Sequence, residues 1–116
     1  VHSVLVPNYQ YVANRVANQW NINGNCALVV GATYADVELA IVREIVGDMP
    51  ILLPGIGAQG GDLEATIDNG RNSQGQGMIV NSSRGIIFAS SDHDFAQRAG
   101  EEAAKLHGAI TARLAA

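Results

Sequence analysis

The sequence predicts an α/β protein built on a parallel sheet. Three observations carry this: short apolar runs that do not alternate, helical periodicity between them, and spacing that leaves room for one helix and two short loops each time. The runs are "CALVVG" (Cys26 to Gly31), "PILLP" (Pro50 to Pro54) and "GMIVNS" (Gly77 to Ser82). A near-continuous stretch of Val, Ile and Leu is how a strand buried on both faces of a parallel sheet reads. Burial on both faces is therefore expected of each.

The helices follow from the residues between the runs. Tyr9, Val12, Ala13, Val16 and Trp20 recur at spacings of three and four and form one apolar stripe. After the first strand, Thr33 and Asp36 match a capping box, with Val37, Ala40, Ile41 and Ile45 as the expected buried face. Gly47 suits that helix's C-terminus, and Pro50 opens the next strand. After the second strand, Asp62 is an expected N-cap for a short helix carrying Leu63 and Ile67 and ending at Gly70. "RNSQGQG" (Arg71 to Gly77) reads as a surface loop, and "RGIIF" (Arg84 to Phe88) has the length of one helical turn. A last helix is expected from Ser91 or Asp92, burying Phe95, Ala99, Ala103, Leu106 and Ile110. The order is α-βα-βα-βα.

Composition narrows the function classes. The 116 residues are 47% hydrophobic and 16% charged, which describes one soluble globular unit or a piece of one. Eleven acids against seven bases give a formal charge of −4, and Lys105 is the only lysine. No basic block stands out, so a nucleic-acid partner is not expected. No run approaches the ~18 consecutive apolar residues of a membrane span, and no signal peptide opens the chain. Cys26 stands alone, without an internal disulfide partner or zinc-ligand spacing around it. A reducing compartment, the cytoplasm, is the expectation, with Cys26 as a small core hydrophobe. The chain opens at Val1 in mid-pattern, as a piece of something longer would.

In parallel α/β proteins, ligands bind at the carboxyl ends of the strands. Those ends are "GATY" (Gly31 to Tyr34), "GIGAQGGD" (Gly55 to Asp62) and "NSSRG" (Asn81 to Gly85). Glycines after a strand and before a helix let backbone N–H groups approach an anion. Arg84 can grip a phosphate with two parallel hydrogen bonds. Each feature alone also has a plain reading, a tight connection or a solvated charge. Together, a glycine-rich loop, "NSSR" on the neighbouring strand and an extra helical turn match the recurring phosphate site of (β/α)8 barrels.

"GIGAQG" also fits G-x-G-x-x-G through Gly55, Gly57 and Gly60. A dinucleotide fold needs an acid near the end of the next strand for the ribose. No acid lies between Asp68 and Asp92, so NAD binding lacks its partner residue. His2, His93 and His107 sit at a chain end or in the expected last helix, without a nucleophile or a metal-ligand spacing. The residues equip the chain to bind a phosphate and not to transform its ligand unaided.

"LVVGAT", "LLPGIGAQGGD" and "GQGMIVNSSRGIIFAS" together resemble the C-terminal part of orotidine 5′-phosphate decarboxylase, in its longer bacterial type. The likeness runs from about Tyr9 to the final helix, and "PGIGAQGG" followed by "NSSR" is its most specific element. The resemblance implies a partial (β/α)8 TIM barrel, with the three strands as the sixth to eighth. Residues 1–116 would be the C-terminal portion of a single decarboxylase domain. It implies that Arg84 makes the main ionic contact with the nucleotide 5′-phosphate and that Gln59 is the loop glutamine beside it. Pro54 would pack near the pyrimidine, and Gly57 and Ser83 would offer backbone amides.

The family decarboxylates without metal or organic cofactor, through an Asp/Lys network with the motif D-x-K-x-x-D completed across a homodimer interface. That motif is absent here, and Lys105 in "EEAAKLHG" is poorly placed to replace it. The implied function is the decarboxylation of orotidine 5′-phosphate to UMP and CO2 in pyrimidine biosynthesis. This chain would supply the phosphate-binding part, with no catalytic residue of its own and no activity alone. A non-catalytic phosphate- or nucleotide-binding half-barrel module is the alternative. The upstream strands are expected from another chain or a longer sequence, since a three-stranded piece leaves edges and apolar faces open.

Overall fold

The computed structural model describes residues 3–56 and 62–116. Helix α1 (Asn8–Arg15) runs into a π-helical turn, Val16–Trp20, and β1 (Leu28–Val29) follows. A 3-10 turn (Ala32–Tyr34) and a π-helical turn (Ala35–Leu39) lead into α2 (Ala40–Val46). Then come β2 (Ile51–Leu53), α3 (Leu63–Gly70), β3 (Met78–Val80), the short α4 (Ser83–Ile87) and the long α5 (Phe95–Ala115). The predicted α-βα-βα-βα order holds, with the extra turn at α4.

The three strands form one parallel sheet in the order β1-β2-β3. Leu28 faces Ile51, and Leu52 stands between Val29 and Ile79. The pairing continues past the strands, because Ala32 N–H donates to the Pro54 carbonyl at 3.0 Å. Side chains alternate across this sheet. Ile51 and Leu53 are fully buried against Leu39, Val42 and Val46, and Met78 and Val80 pack at the margin of the same core.

The opposite face corrects the expectation of two-sided burial. Val29 and Ile79 are 67% and 57% exposed, and Leu52 is half-buried between them. An apolar run marks a strand made for two covered faces, and in a closed barrel the second cover is side chains from the other strands. Among the described residues only the helical side is covered.

The helices carry further corrections. On the second helical segment the buried stripe is Ala35, Leu39, Val42 and Val46; Val37 is exposed, and Ala40, Ile41 and Ile45 are half-buried. The chain enters through 3-10 and π turns, whose pitch differs from 3.6 residues, and this rotates the stripe. Thr33 lies inside the 3-10 turn and makes no capping bond. On α1 and its extension Ala13 and Val16 are buried, whereas Val12 and Trp20 are exposed.

Helix α5 begins at Phe95, later than expected, and none of its residues is fully buried. Ala99, Leu106 and Ile110 are half-buried, while Phe95 and Ala103 are exposed. The helix packs mainly on α3 and α4, and its first residues, Phe95 to Arg98, are exposed. Arg113 fastens its far end to Asp68 through two bonds of 3.0 and 2.6 Å. Other expectations stand. Asp62 caps α3 by accepting from Ala65 N–H at 3.1 Å, α3 ends at Gly70, and Gly47 closes α2 with φ of +61°. Cys26 is half-buried against the core.

A single arginine ties the lower ends of these units. Arg43 Nε donates to the Gly70 carbonyl at 2.8 Å, and Nη1 donates to those of Gly47 (2.8 Å) and Met49 (2.6 Å). Nη2 reaches the Gly77 carbonyl at 3.1 Å and shares that of Gly70. One planar fork thus satisfies chain ends of α2 and α3 and the entries to β2 and β3, which a lysine cannot do. Burial lowers the Arg43 pKa, and Asp48 nearby partly offsets this. Asp48 in turn accepts from the Ser73 backbone N–H (3.0 Å) and hydroxyl (2.7 Å), pinning the loop before β3.

Two outcomes follow. Arg43→Ala is expected to lose about 2–4 kcal/mol in urea denaturation, because several carbonyls lose a charged donor together. Arg43→Lys is expected to recover less than half of it, and a loss below about 0.5 kcal/mol in the alanine variant would contradict the role. The bonds from Ser73 hold the Asp48 carboxyl below the usual carboxylate range. Its folded pKa lies below its unfolded one, so its stabilisation is complete above about pH 4 and vanishes as pH falls through the lowered value. Asp48→Asn is therefore expected to narrow the stability difference between pH 7 and pH 3; an unchanged difference would contradict this.

Candidate functional site

The sheet register decides which loops meet. Because Leu52 faces Ile79, the tips of β2 and β3 leave the sheet side by side. Pairing extends one residue further on this side, with Asn81 N–H donating to the Leu53 carbonyl at 3.5 Å. At the tip of β2, Gly55 takes φ of +93°, a conformation that favours glycine and turns the chain above the sheet. At the tip of β3 the chain passes directly into α4, which carries Ser83 and Arg84 in its first turn.

Between the tips lies a cavity of about 110 Å³, lined by Pro54, Gly55 and Ile56 on one side and Asn81, Ser82, Ser83 and Arg84 on the other. Among the described residues Arg84 is the only ionisable residue of this lining. Among the described residues no carboxylate pairs with it. An arginine without a carboxylate partner, in a lining that also includes Ser82 and Ser83, is a setting for an external anion. The volume is well below the ~300–1,000 Å³ of a pocket for a drug-sized ligand. It suits a small anionic group and not a whole nucleotide.

The structure thus brings together Pro54, Ser83 and Arg84, three of the five residues expected from the sequence. Gly57 and Gln59 lie outside the described residues. Lys105 stands apart on α5, 73% exposed and paired with Glu102 at 2.8 Å, as its mid-helix position predicted. His107 lies within α5 and His93 just before it. No group of acids, histidines or cysteines among the described residues is placed to hold a metal ion, and no described helix is long and apolar enough to cross a membrane.

Asn81, part of the "NSSRG" strand end, carries no role in the sequence analysis. Asn81 has its side-chain oxygen Oδ1 buried with no hydrogen-bond partner among the described residues. The available signal was period two: Asn81 falls on the same face as Ile79, the face that the helices do not cover.

Comparison with known proteins gives this geometry a context. No family model matches the chain. Orotidine 5′-phosphate decarboxylase from Janthinobacterium sp. (strain Marseille) is 56% identical over 109 residues, which is 94% of this chain and 40% of that protein. The same-named protein of Bordetella pertussis is 56% identical over 107 residues, 91% of this chain and 39% of that one. The structure of Leishmania donovani OMP decarboxylase superposes with a TM-score of 0.76 at 37% identity, covering all of this chain and 42% of that one. In sequence and in fold, the chain matches a C-terminal part of orotidine 5′-phosphate decarboxylase.

The chain spans about 40% of the length of the curated decarboxylases it matches. Its three parallel strands with flanking helices correspond to a portion of the decarboxylase (β/α)8 barrel.

Proposed function

We propose that this chain is the phosphate-binding part of an orotidine 5′-phosphate decarboxylase and that residues 1–116 form the C-terminal portion of its single barrel domain. The observation that carries this is the small cavity between neighbouring strand tips, where Arg84 is the only ionisable residue among the described lining residues. The named relatives supply the substrate class, a nucleoside monophosphate with a 5′-phosphoryl group.

In this reading Arg84 is the chief counter-ion of the 5′-phosphate, gripping two of its oxygens in parallel. Ser83 and Gly57 contribute backbone N–H groups, Gln59 a side-chain contact, and Pro54 an apolar wall toward the pyrimidine. The decarboxylation itself, releasing CO2 and leaving UMP, uses no cofactor. It belongs to an Asp/Lys network that the 116 residues do not contain, so this chain alone is expected to bind and not to turn over. The intact enzyme is a homodimer working in the cytoplasm, where an unpaired Cys26 stays reduced. Phosphate binding far from the reacting carbon raises the rate only where it is realised in the transition state, by holding the ring in place.

A non-catalytic nucleotide-binding module is the second reading, favoured by the absence of D-x-K-x-x-D from the sequence. The two part company in an intact decarboxylase that carries this segment. There, Arg84→Ala is expected to lower kcat/KM by at least ~100-fold, the equivalent of about 2.7 kcal/mol, within the reach of two charge-assisted bonds. Gln59→Ala is expected to cost less. Added phosphite dianion should restore part of the Arg84 loss. Normal turnover by Arg84→Ala, or no rescue by phosphite, would refute the assignment; an intact protein that binds UMP and releases no CO2 would support the module.

A further inference from the structure

Asn81 is the polar group that the reading above leaves unused. It stands one step beyond β3 on the face shared with Ile79, because its N–H still pairs with Leu53 and side chains alternate along the strand. Pro54 holds the matching place beyond Leu52 on β2. Arg84 comes three residues later, in α4, above the end of the sheet. A phosphorylated ligand gripped by Arg84 and extending toward the sheet's uncovered face passes Asn81 first.

The state of the side chain adds a second observation. Its Oδ1 is closed off from water and accepts no hydrogen bond from the described residues, although Ser82 and Ser83 line the same cavity. A buried acceptor without a donor is an unfavourable arrangement, and native structures rarely keep one without a use. The terminal torsion of asparagine is broad, so the amide turns easily, and here the turn breaks no bond of Oδ1 with the described residues. Once turned to the cavity, the amide presents one acceptor and two donors.

We propose that Asn81 is a specificity-determining residue of this site. Its amide bonds a hydroxyl or N–H of the organic part of a phosphate ester, so that a nucleoside monophosphate is distinguished from free phosphate. The proposal rests on the phosphate reading of Arg84 and extends it inward by one contact. Arg84 recognises the anion; Asn81 recognises that something is attached to it.

Calorimetric titration of the full chain with two probes, UMP and inorganic phosphate, tests this. Asn81→Leu, which keeps the size and removes the polar group, is expected to weaken UMP binding about 5- to 20-fold and phosphate binding less than twofold. Arg84→Ala is expected to weaken both. Equal loss of both probes in Asn81→Leu would overturn the proposal, since Asn81 would then only shape the site or hold the 57–61 segment. Unchanged UMP binding would overturn it too. Should wild type bind neither probe, the phosphate reading itself falls, a distinguishable failure. A readout independent of the variant's folding is the Asn81 side-chain amide resonance of the wild type. It is expected to shift with UMP and stay in place with phosphate; the same shift with both overturns the proposal.

Discussion

The pairing of β2 with β3 is the constraint from which the rest of the molecule follows. Leu52 opposite Ile79 sets which residues of each strand face the helices and which face away. One residue of slip would move Ile51 and Leu53 out of the core and bring Leu52 into it. The same register sets Pro54 beside Asn81 at the upper ends, and so brings a glycine-turned tip and an arginine-bearing tip to one cavity. Core packing and site geometry are two consequences of one alignment.

Opposite ends of the sheet have opposite chemistry. Below, Arg43 spends its donors on the protein's own carbonyls, and Asp48 holds Ser73, so that the entries to β2 and β3 are tied together. Above, Arg84 lines a cavity, and among the described residues no carboxylate pairs with it. This division is the one expected of a parallel barrel, where the lower end gives stability and the upper end binds ligands. Arg43 and Arg84 thus differ in their surroundings, with backbone carbonyls within reach of one and a cavity beside the other.

Much of this was legible in the residues. Each apolar run contained its strand, Asp62 capped its helix, and the strand ends beginning at Pro54 and at Asn81 line one cavity. What escaped has physical causes. A run such as "LVV" does not tell a face covered by helices from one meant for other strands, so the exposure of Val29 and Ile79 was invisible. The burial of Ala35 and Leu39 in place of Val37 and Ile41 depends on 3-10 and π turns that no local pattern announces. Phe95 and Ala103 have helical spacing but no described neighbour to bury them. Arg43 reads locally as a solvated helix charge, because its partners Gly70 and Gly77 lie 27 and 34 residues away. Asn81 drew no attention beyond its place in "NSSRG" because the burial of its Oδ1 depends on where β3 stops.

The central claim is that two neighbouring strand tips close around one phosphoryl group. A crystal structure of the chain grown with UMP tests it most directly. The account requires Arg84 nitrogens about 2.7–2.9 Å from two phosphoryl oxygens, with the turn at Pro54–Ile56 forming the opposite wall. A phosphoryl group bound elsewhere on the molecule, with the Arg84 guanidinium turned to solvent, would contradict it.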